Sequence, residues 1–326
     1  MSTQIKIFIQ TGFTEGPWGG GNQFLKALRN EFIKRNCYTE NPKEAVVILF
    51  NSHHYLDEIV NLRRKFPDKV FAHRVDGPMS YRGTEGEKMD RKIFSVNRAV
   101  ADGTIFQSEW SRSESRKQGM KKNRFETVIH NAPDPDIFYS SNNEQERHSK
   151  KIKLIATSWS NNPDKGFDIY HYLDENLDFE KYEMTFVGRI DKPFKKITVI
   201  DPVPSLILAK QLRQHNIFVF ASKREACSNS LIEAFSCGLP AVVRNNSSNP
   251  EVMGKRGLTF NGKEDVISII ELMIHNLETY EKIPFRYQIK GTGDKYLNFF
   301  NNISLSDTQR KKIHIFNQLK NWYQKT

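Results

Sequence analysis

Cysteine is scarce in this 326-residue chain. Cys37, Cys227 and Cys237 are odd in number and none stand at CxxC spacing. That excludes a disulfide framework and a Cys-based zinc site, and buried reduced thiols are expected instead. No apolar run approaches the roughly 20 residues that a membrane-spanning helix needs. The opening MSTQIKIFIQTG enters a strand-like alternation without the basic region and apolar core of a secretory signal, so a cytoplasmic location is expected. No repeat of 20–50 residues is visible. Helix-turn-helix, zinc-finger and aromatic-basic signatures are missing too, which removes nucleic acid as an expected partner. The glycine-rich stretch near the N-terminus is not GxGxxG, and no acidic residue stands at the offset that dinucleotide binding requires. Neither a Ser-His-Asp nor a Cys-His arrangement is evident.

What the chain does have is a basic balance. The formal net charge is +11 and the pI about 9.4, with a positive excess in both halves. Clusters at Arg63–Lys65, Lys117–Arg124, Lys192–Lys196 and Arg310–Lys312 can each face nucleic acid, anionic lipid or phosphorylated substrates, or simply make a basic surface. Length suggests two domains, each able to bury its own core. The polar stretch SSNNEQERHSKK, without apolar periodicity, reads as a linker. The expected division is 1–140, a linker at 141–151, a second domain at 152–304 and a terminal helix at 305–326. Ile313, Ile315, Phe316, Leu319 and Trp322 give that last helix its apolar spacing.

The chain is organised around Ile217–Arg244, IFVFASKREACSNSLIEAFSCGLPAVVR. Ile217–Ala221 reads as a buried strand and Ser222–Cys227 as a loop. The helix that follows can be capped by Ser228 or Asn229 and is stopped by Gly238 and Pro240. Ala241–Arg244 starts another strand. In an open parallel sheet, ligands bind outside the carboxyl ends of strands. Glu225 lies in that loop, and Glu233 lies about one and a half turns into the helix. Ser230 and Leu231 fall in the first turn, where free amides and the helix dipole favour an anion. An anion seat flanked by two carboxylates suits a nucleoside diphosphate joined to polyhydroxyl rings. Taken singly, each glutamate reads equally as a solvated surface charge.

The pattern S-x-x-E-x-C-S-N-S-L-I-E-A-x-x-C-G-L-P resembles the donor-site signature of retaining glycosyltransferases of family 4. The resemblance implies the GT-B fold: two facing Rossmann-like, doubly wound parallel-sheet domains with a cleft between them. Further motifs match along the chain. Gly19, Gly20, Gly21 and Asn22 resemble the family's glycine loop near the donor phosphates. VIHNAPDPDIF resembles its I-x-N-x-x-D-x-x-x-F turn, so Asp134 and Asp136 read as turn residues rather than metal ligands. Lys165-Gly166 resembles its Lys-Gly motif, and Pro250-Glu251 its Pro-Glu loop. Two departures stand out. Ser160 occupies the place of a family arginine, with Arg189 the candidate substitute. Asp76, after the strand Val70–Val75, occupies that of a histidine. His73, three residues upstream, has the setting of a structural residue.

By resemblance, Lys165 carries diphosphate charge, Glu233 binds ribose hydroxyls and Glu225 contacts the donor sugar. Asn229, Ser230, Leu231, Gly20, Gly21 and Asn22 line the nucleotide, and Asp76 stands at the reacting end. The implied reaction is retaining transfer of a sugar from a nucleotide-sugar co-substrate to a glycan, lipid-linked or other hydroxyl acceptor. No cofactor and no metal are implied, and peripheral contact with an anionic membrane at the inner face is compatible with the charge. A nucleotide-sugar epimerase of the same fold and a non-catalytic binding protein are the alternatives.

Overall fold

The computed structural model describes residues 5–14, 20–140 and 150–304. They form two compact units, the first comprising residues 5–13, 28–130 and 290–304 and the second residues 14, 20–27, 131–140 and 150–289.

The first unit holds five parallel strands: β1 (Ile7–Gln10), β2 (Val47–Asn51), β3 (Val70–Val75), β4 (Gly103–Phe106) and β5 (Phe125–Val128). Their spatial order follows the chain, β1-β2-β3-β4-β5. β2, β3 and β4 are buried throughout, as strands of a parallel sheet covered on both faces should be, and β3 encloses the polar His73 and Arg74 as well. Ile48, Phe50 and Phe71 pack on Ile59 and Val60 of helix Leu56–Lys65 and on Ile93, Val96 and Val100 of helix Thr84–Val100. Burying each such side chain contributes about 1.5–3 kcal/mol. Helix Ile289–Ser304, expected within the second domain, belongs to this unit instead. Its Tyr296 and Phe300 rings lie 6.5 Å from Phe32. Gly103 makes room for it: a Cβ there would stand 2.4 Å from Ile303 and 2.8 Å from Phe299. The terminal helix expected at 305–326 lies outside the described residues, as does most of the expected linker.

The second unit holds β6 (Ile152–Ser158), β7 (Tyr182–Gly188), β8 (Thr198–Ile200), β9 (Ile217–Phe220), β10 (Ala241–Arg244) and β11 (Gly257–Phe260). All pairings are parallel, in the order β11-β10-β9-β6-β7-β8. The chain winds outward from β6 to β8, then returns to start again at β9. That reversal, the doubly wound feature, is a property of this sheet and not of the first. It creates a topological switch point where the loops after β6 and β9 diverge.

The glycine cluster departs from expectation. Rather than forming a loop ahead of a helix at Phe24, Gly20 and Gly21 are themselves helical, in helix Gly20–Lys34. A Cβ on Gly20 would meet the Asn229 side chain at 2.4 Å, so glycine is what lets the helix lie this close to Asn229. Gly19 lies outside the described residues. All three cysteines are free and buried.

Candidate functional site

The loop after β6 turns through Pro163–Lys165, a short 3-10 turn capped by Asn162, whose side chain accepts from the Asp164 amide at 2.9 Å. Ser160 shapes the approach: its carbonyl accepts from Ser158 Oγ at 2.7 Å, and its own Oγ accepts from the Asn162 amide. Gly166 follows with φ +85°, and a Cβ there would stand 2.1 Å from the Ala221 carbonyl oxygen. Only glycine combines that backbone with that approach. This contact presses the Lys165 turn against the end of β9.

The loop after β9 receives it. Lys165 Nζ lies 2.7 Å from Glu225 Oε1, which also accepts from Ser222 Oγ at 2.6 Å. The Glu225 amide donates to Ser247 Oγ at 3.0 Å. Glu225 is therefore held by one oxygen, and Oε2 has no hydrogen-bond partner among the described residues. Around this pair, Arg224 bridges to Asp164 at 2.9 Å, while Lys223 and Arg244 both reach Asp168. The two cations hold the Asp168 carboxyl below its usual range against the opposing effect of burial. Ser222, Ser247 and Arg244 were not signalled as site residues by the sequence; a serine directly after a buried strand was the one available hint.

Ser228 caps helix Asn229–Ser236, its side chain accepting from the Leu231 amide at 3.3 Å. This corrects one expectation, since the Leu231 amide is taken by the cap and is not open to an anion. The amides of Asn229 and Ser230, one and two places into the helix, have no partner among the described residues. Gly20 brings helix Gly20–Lys34 against Asn229. Asn22 acts locally, its side chain donating to the Thr14 carbonyl at 2.9 Å and accepting from the Thr14 amide. Gly21 has open space at its Cα.

Glu233 is 7% exposed, and its carboxyl has neither hydrogen-bond nor ion-pair partner among the described residues. Burial pushes its pKa up to about 7. A buried polar group left without a partner costs stability and calls for an explanation.

The structure thus brings Lys165, Glu225, Glu233, Asn229, Ser230 and Gly20 into one unit. Asp76 belongs to the other unit, at the carboxyl end of β3, where Arg74 and Gln107 donate to its Oδ1. His73 is fully buried in β3, bonded to the Ser52 carbonyl at 3.0 Å and to Asn97 at 3.0 Å, and burial pushes its pKa down to about 3. It is a structural residue. Arg189 is exposed just beyond β7. The Asp134–Asp136 segment is a turn, Asp134 Oδ1 accepting from the Asp136 amide.

Residues 175–278 match the family "Glycosyl transferases group 1". Among structures, the chain superposes on sucrose-phosphate synthase from Thermosynechococcus elongatus with a TM-score of 0.66, 13% identity and coverage of 99% of this chain and 100% of that one. Anabaena Alr3699/HepE in complex with UDP gives a TM-score of 0.72, 13% identity and coverage of 91% and 100%. The fold is GT-B. In sequence, the Arabidopsis thaliana sulfoquinovosyl transferase SQD2 is 26% identical over 129 residues, 35% of this chain and 25% of the plant protein. Uncharacterized protein 356 of Sulfolobus islandicus rod-shaped virus 1 is 23% identical over 189 residues, 52% of each chain. The matches thus span about half of the viral relative and a quarter of the plant one. Among the described residues of this GT-B chain, no helix is long and apolar enough to cross a membrane.

Proposed function

We propose that this protein is a retaining glycosyltransferase of the family 4 kind, transferring a sugar from a nucleotide-sugar donor to a hydroxyl of a glycan or lipid-linked acceptor without a metal. The observation that carries the reading is Glu233. A buried carboxyl without a partner, in the same short helix as the unpaired amides of Asn229 and Ser230, suits a ligand bearing both a diphosphate and vicinal hydroxyls. The ribose hydroxyls donate to Glu233, and the helix N-terminus takes the phosphate.

Departure of the nucleoside diphosphate is the hard step, because negative charge grows on the phosphate as the glycosidic bond lengthens. Lys165 supplies a preorganised cation for that charge. Glu225 fixes the ammonium through Oε1 and offers Oε2 to a donor-sugar hydroxyl. In the same-face mechanism the leaving phosphate takes the acceptor's proton, so no enzyme nucleophile is required. The positive surface is compatible with an anionic acceptor or a membrane-bound one.

The test is isothermal titration of the full chain with UDP, GDP and ADP. UDP comes first because the HepE structure holds it. At least one nucleotide should bind, and Glu233→Ala should weaken that binding tenfold or more while leaving the melting temperature unchanged or raised. Equal affinity in the variant would return Glu233 to the status of an ordinary helix carboxylate.

A further inference from the structure

A cavity of about 220 Å³ opens on the second unit among residues that the donor reading does not use. One wall is Phe235, in the last turn of helix Asn229–Ser236. Another is the end of helix Asn249–Met253, with Lys255 and Arg256 that follow it, and the third is the segment Ile283–Tyr287. Lys165 and Glu225 follow the carboxyl ends of β6 and β9, whereas this cavity lies where the chain enters the amino end of β11. It shares no residue with the donor site.

Two kinds of chemistry meet there. The first is aromatic. Phe285 and Tyr287 stand edge to face with ring centroids 6.0 Å apart, and Tyr287 is anchored by donating to the Val252 carbonyl at 2.9 Å. The second is cationic. Arg256 is buried, its Nη1 donating to the Ile283 carbonyl at 2.6 Å and its guanidinium lying 5.8 Å from the Phe235 ring centre. Arg286 is exposed and held through one nitrogen. Its Nη2 donates to the Glu251 carbonyl and to Tyr287 Oη, whereas Nε and Nη1 have no hydrogen-bond partner among the described residues. Gly254 leaves room for this seat, since a Cβ there would stand 3.1 Å from Arg286 Cζ. Lys255 is exposed, with no hydrogen-bond or ion-pair partner among the described residues. Three cations thus line the cavity and no carboxylate does; Glu233, Glu251 and Glu281, the nearest along the chain, all lie outside the lining.

We propose that this cavity is a second ligand site, separate from the donor site, for a small aromatic anion: a ring bearing a short carboxylate or phosphate arm. The ring packs against Phe235, Phe285 and Tyr287, and the anionic oxygens accept from Arg286 Nη1 and from Lys255. The size agrees. An apolar cavity of about 150 Å³ holds a benzene ring, so 220 Å³ admits a ring with a short arm. Both halves of the ligand are needed. An anion without a ring meets two exposed cations that salt and water screen. A ring without a charge leaves those cations with nothing to bind and forgoes the charge-assisted bonds that fix its orientation.

The test is a ligand-observed NMR titration of the full chain with phenylacetate and benzyl phosphate. Phenylacetamide, acetate and inorganic phosphate are the controls that lack the charge or the ring. At least one aromatic anion should bind, and its controls should bind roughly tenfold more weakly or not at all. Whichever of the two binds names the anionic arm. Arg286→Gln should weaken that ligand by roughly tenfold, and Lys255→Gln by roughly threefold. The lysine variant, made at an exposed side chain, decides the matter if Arg286→Gln does not fold. Three results overturn the site: neither aromatic anion binds, a control binds equally well, or the folded variants keep wild-type affinity. No nucleotide and no sugar transfer enter the measurement, so its outcome is independent of the donor reading.

Discussion

Glu225 and Asp76, at the carboxyl ends of the two sheets, are built alike. Each has one oxygen gripped by a cation and a neutral donor, Lys165 and Ser222 for Glu225, Arg74 and Gln107 for Asp76. Each has its other oxygen without a partner among the described residues. The cations differ. Lys165 is 31% exposed on a loop, while Arg74 is fully buried inside a strand. A lysine of that exposure can leave or share its carboxylate when an anion arrives, at little cost in hydration. An arginine sealed in the sheet has nowhere to go. The same pairing is therefore a working contact in one unit and a fixed support in the other.

The largest effect should come from breaking the support. Arg74→Ala takes the donor from the buried Asn51 side chain, a loss of about 1–3 kcal/mol, and opens a cavity inside the sheet that adds to it. Urea unfolding should show that loss, and a midpoint close to wild type would place Arg74 in solvent rather than in the core.

Glu233 sharpens the contrast from the other side, being buried with no cation at all. Its folded pKa, about 7, lies above the ordinary 4.5. The folded state thus binds the proton more tightly, and the associated stability is complete below pH 4.5 and lost as pH rises through about 7. The full swing is on the order of 3 kcal/mol. Glu233→Gln should abolish this slope and be more stable than wild type at about pH 8, as read by melting temperature against pH. Parallel profiles for the two proteins would contradict it.

Lys165→Ala should affect turnover far more than folding. Losing a charge-assisted contact to an anion costs about 1.5–3 kcal/mol, roughly ten- to a hundredfold in rate. The fall should appear in kcat more than in nucleotide affinity, because the phosphate charge grows toward the transition state. With Ser160 in place of the family arginine, turnover near wild type would move the phosphate to another cation, Arg189 first.

The smallest expected effect is that of EDTA. With Lys165 and the amides of Asn229 and Ser230 available for the diphosphate, transfer should continue in chelator at an unchanged rate. Loss of turnover restored by Mg²⁺ or Mn²⁺ would assign that charge to a metal.

Much of the donor unit was legible along the chain because its parts are local. The strand Ile217–Phe220, the serine cap, the Gly238 stop and the spacing of Glu225 and Glu233 all lie between Ile217 and Arg244. Over so short a range, apolar runs, caps and breakers act on one another directly. Lys165 was legible only by resemblance, since nothing near it in sequence says what it pairs with. Tertiary structure decided the rest. Lys165 and Glu225 stand 60 positions apart, and the contact between them depends on Gly166 fitting against Ala221. Gly20 fits closely against Asn229, a side chain from a distant part of the chain. Helix Ile289–Ser304 joined the first unit because Gly103 leaves room for Phe299 and Ile303. Asp76 carried an ordinary local pattern, and it was the pairing of β2 with β3 that set Asn51 beside Arg74, the cation that holds its Oδ1. Periodicity and capping are written in neighbouring residues. Which distant side chain satisfies a buried charge, and which one is left without a partner, is settled only when the sheets assemble.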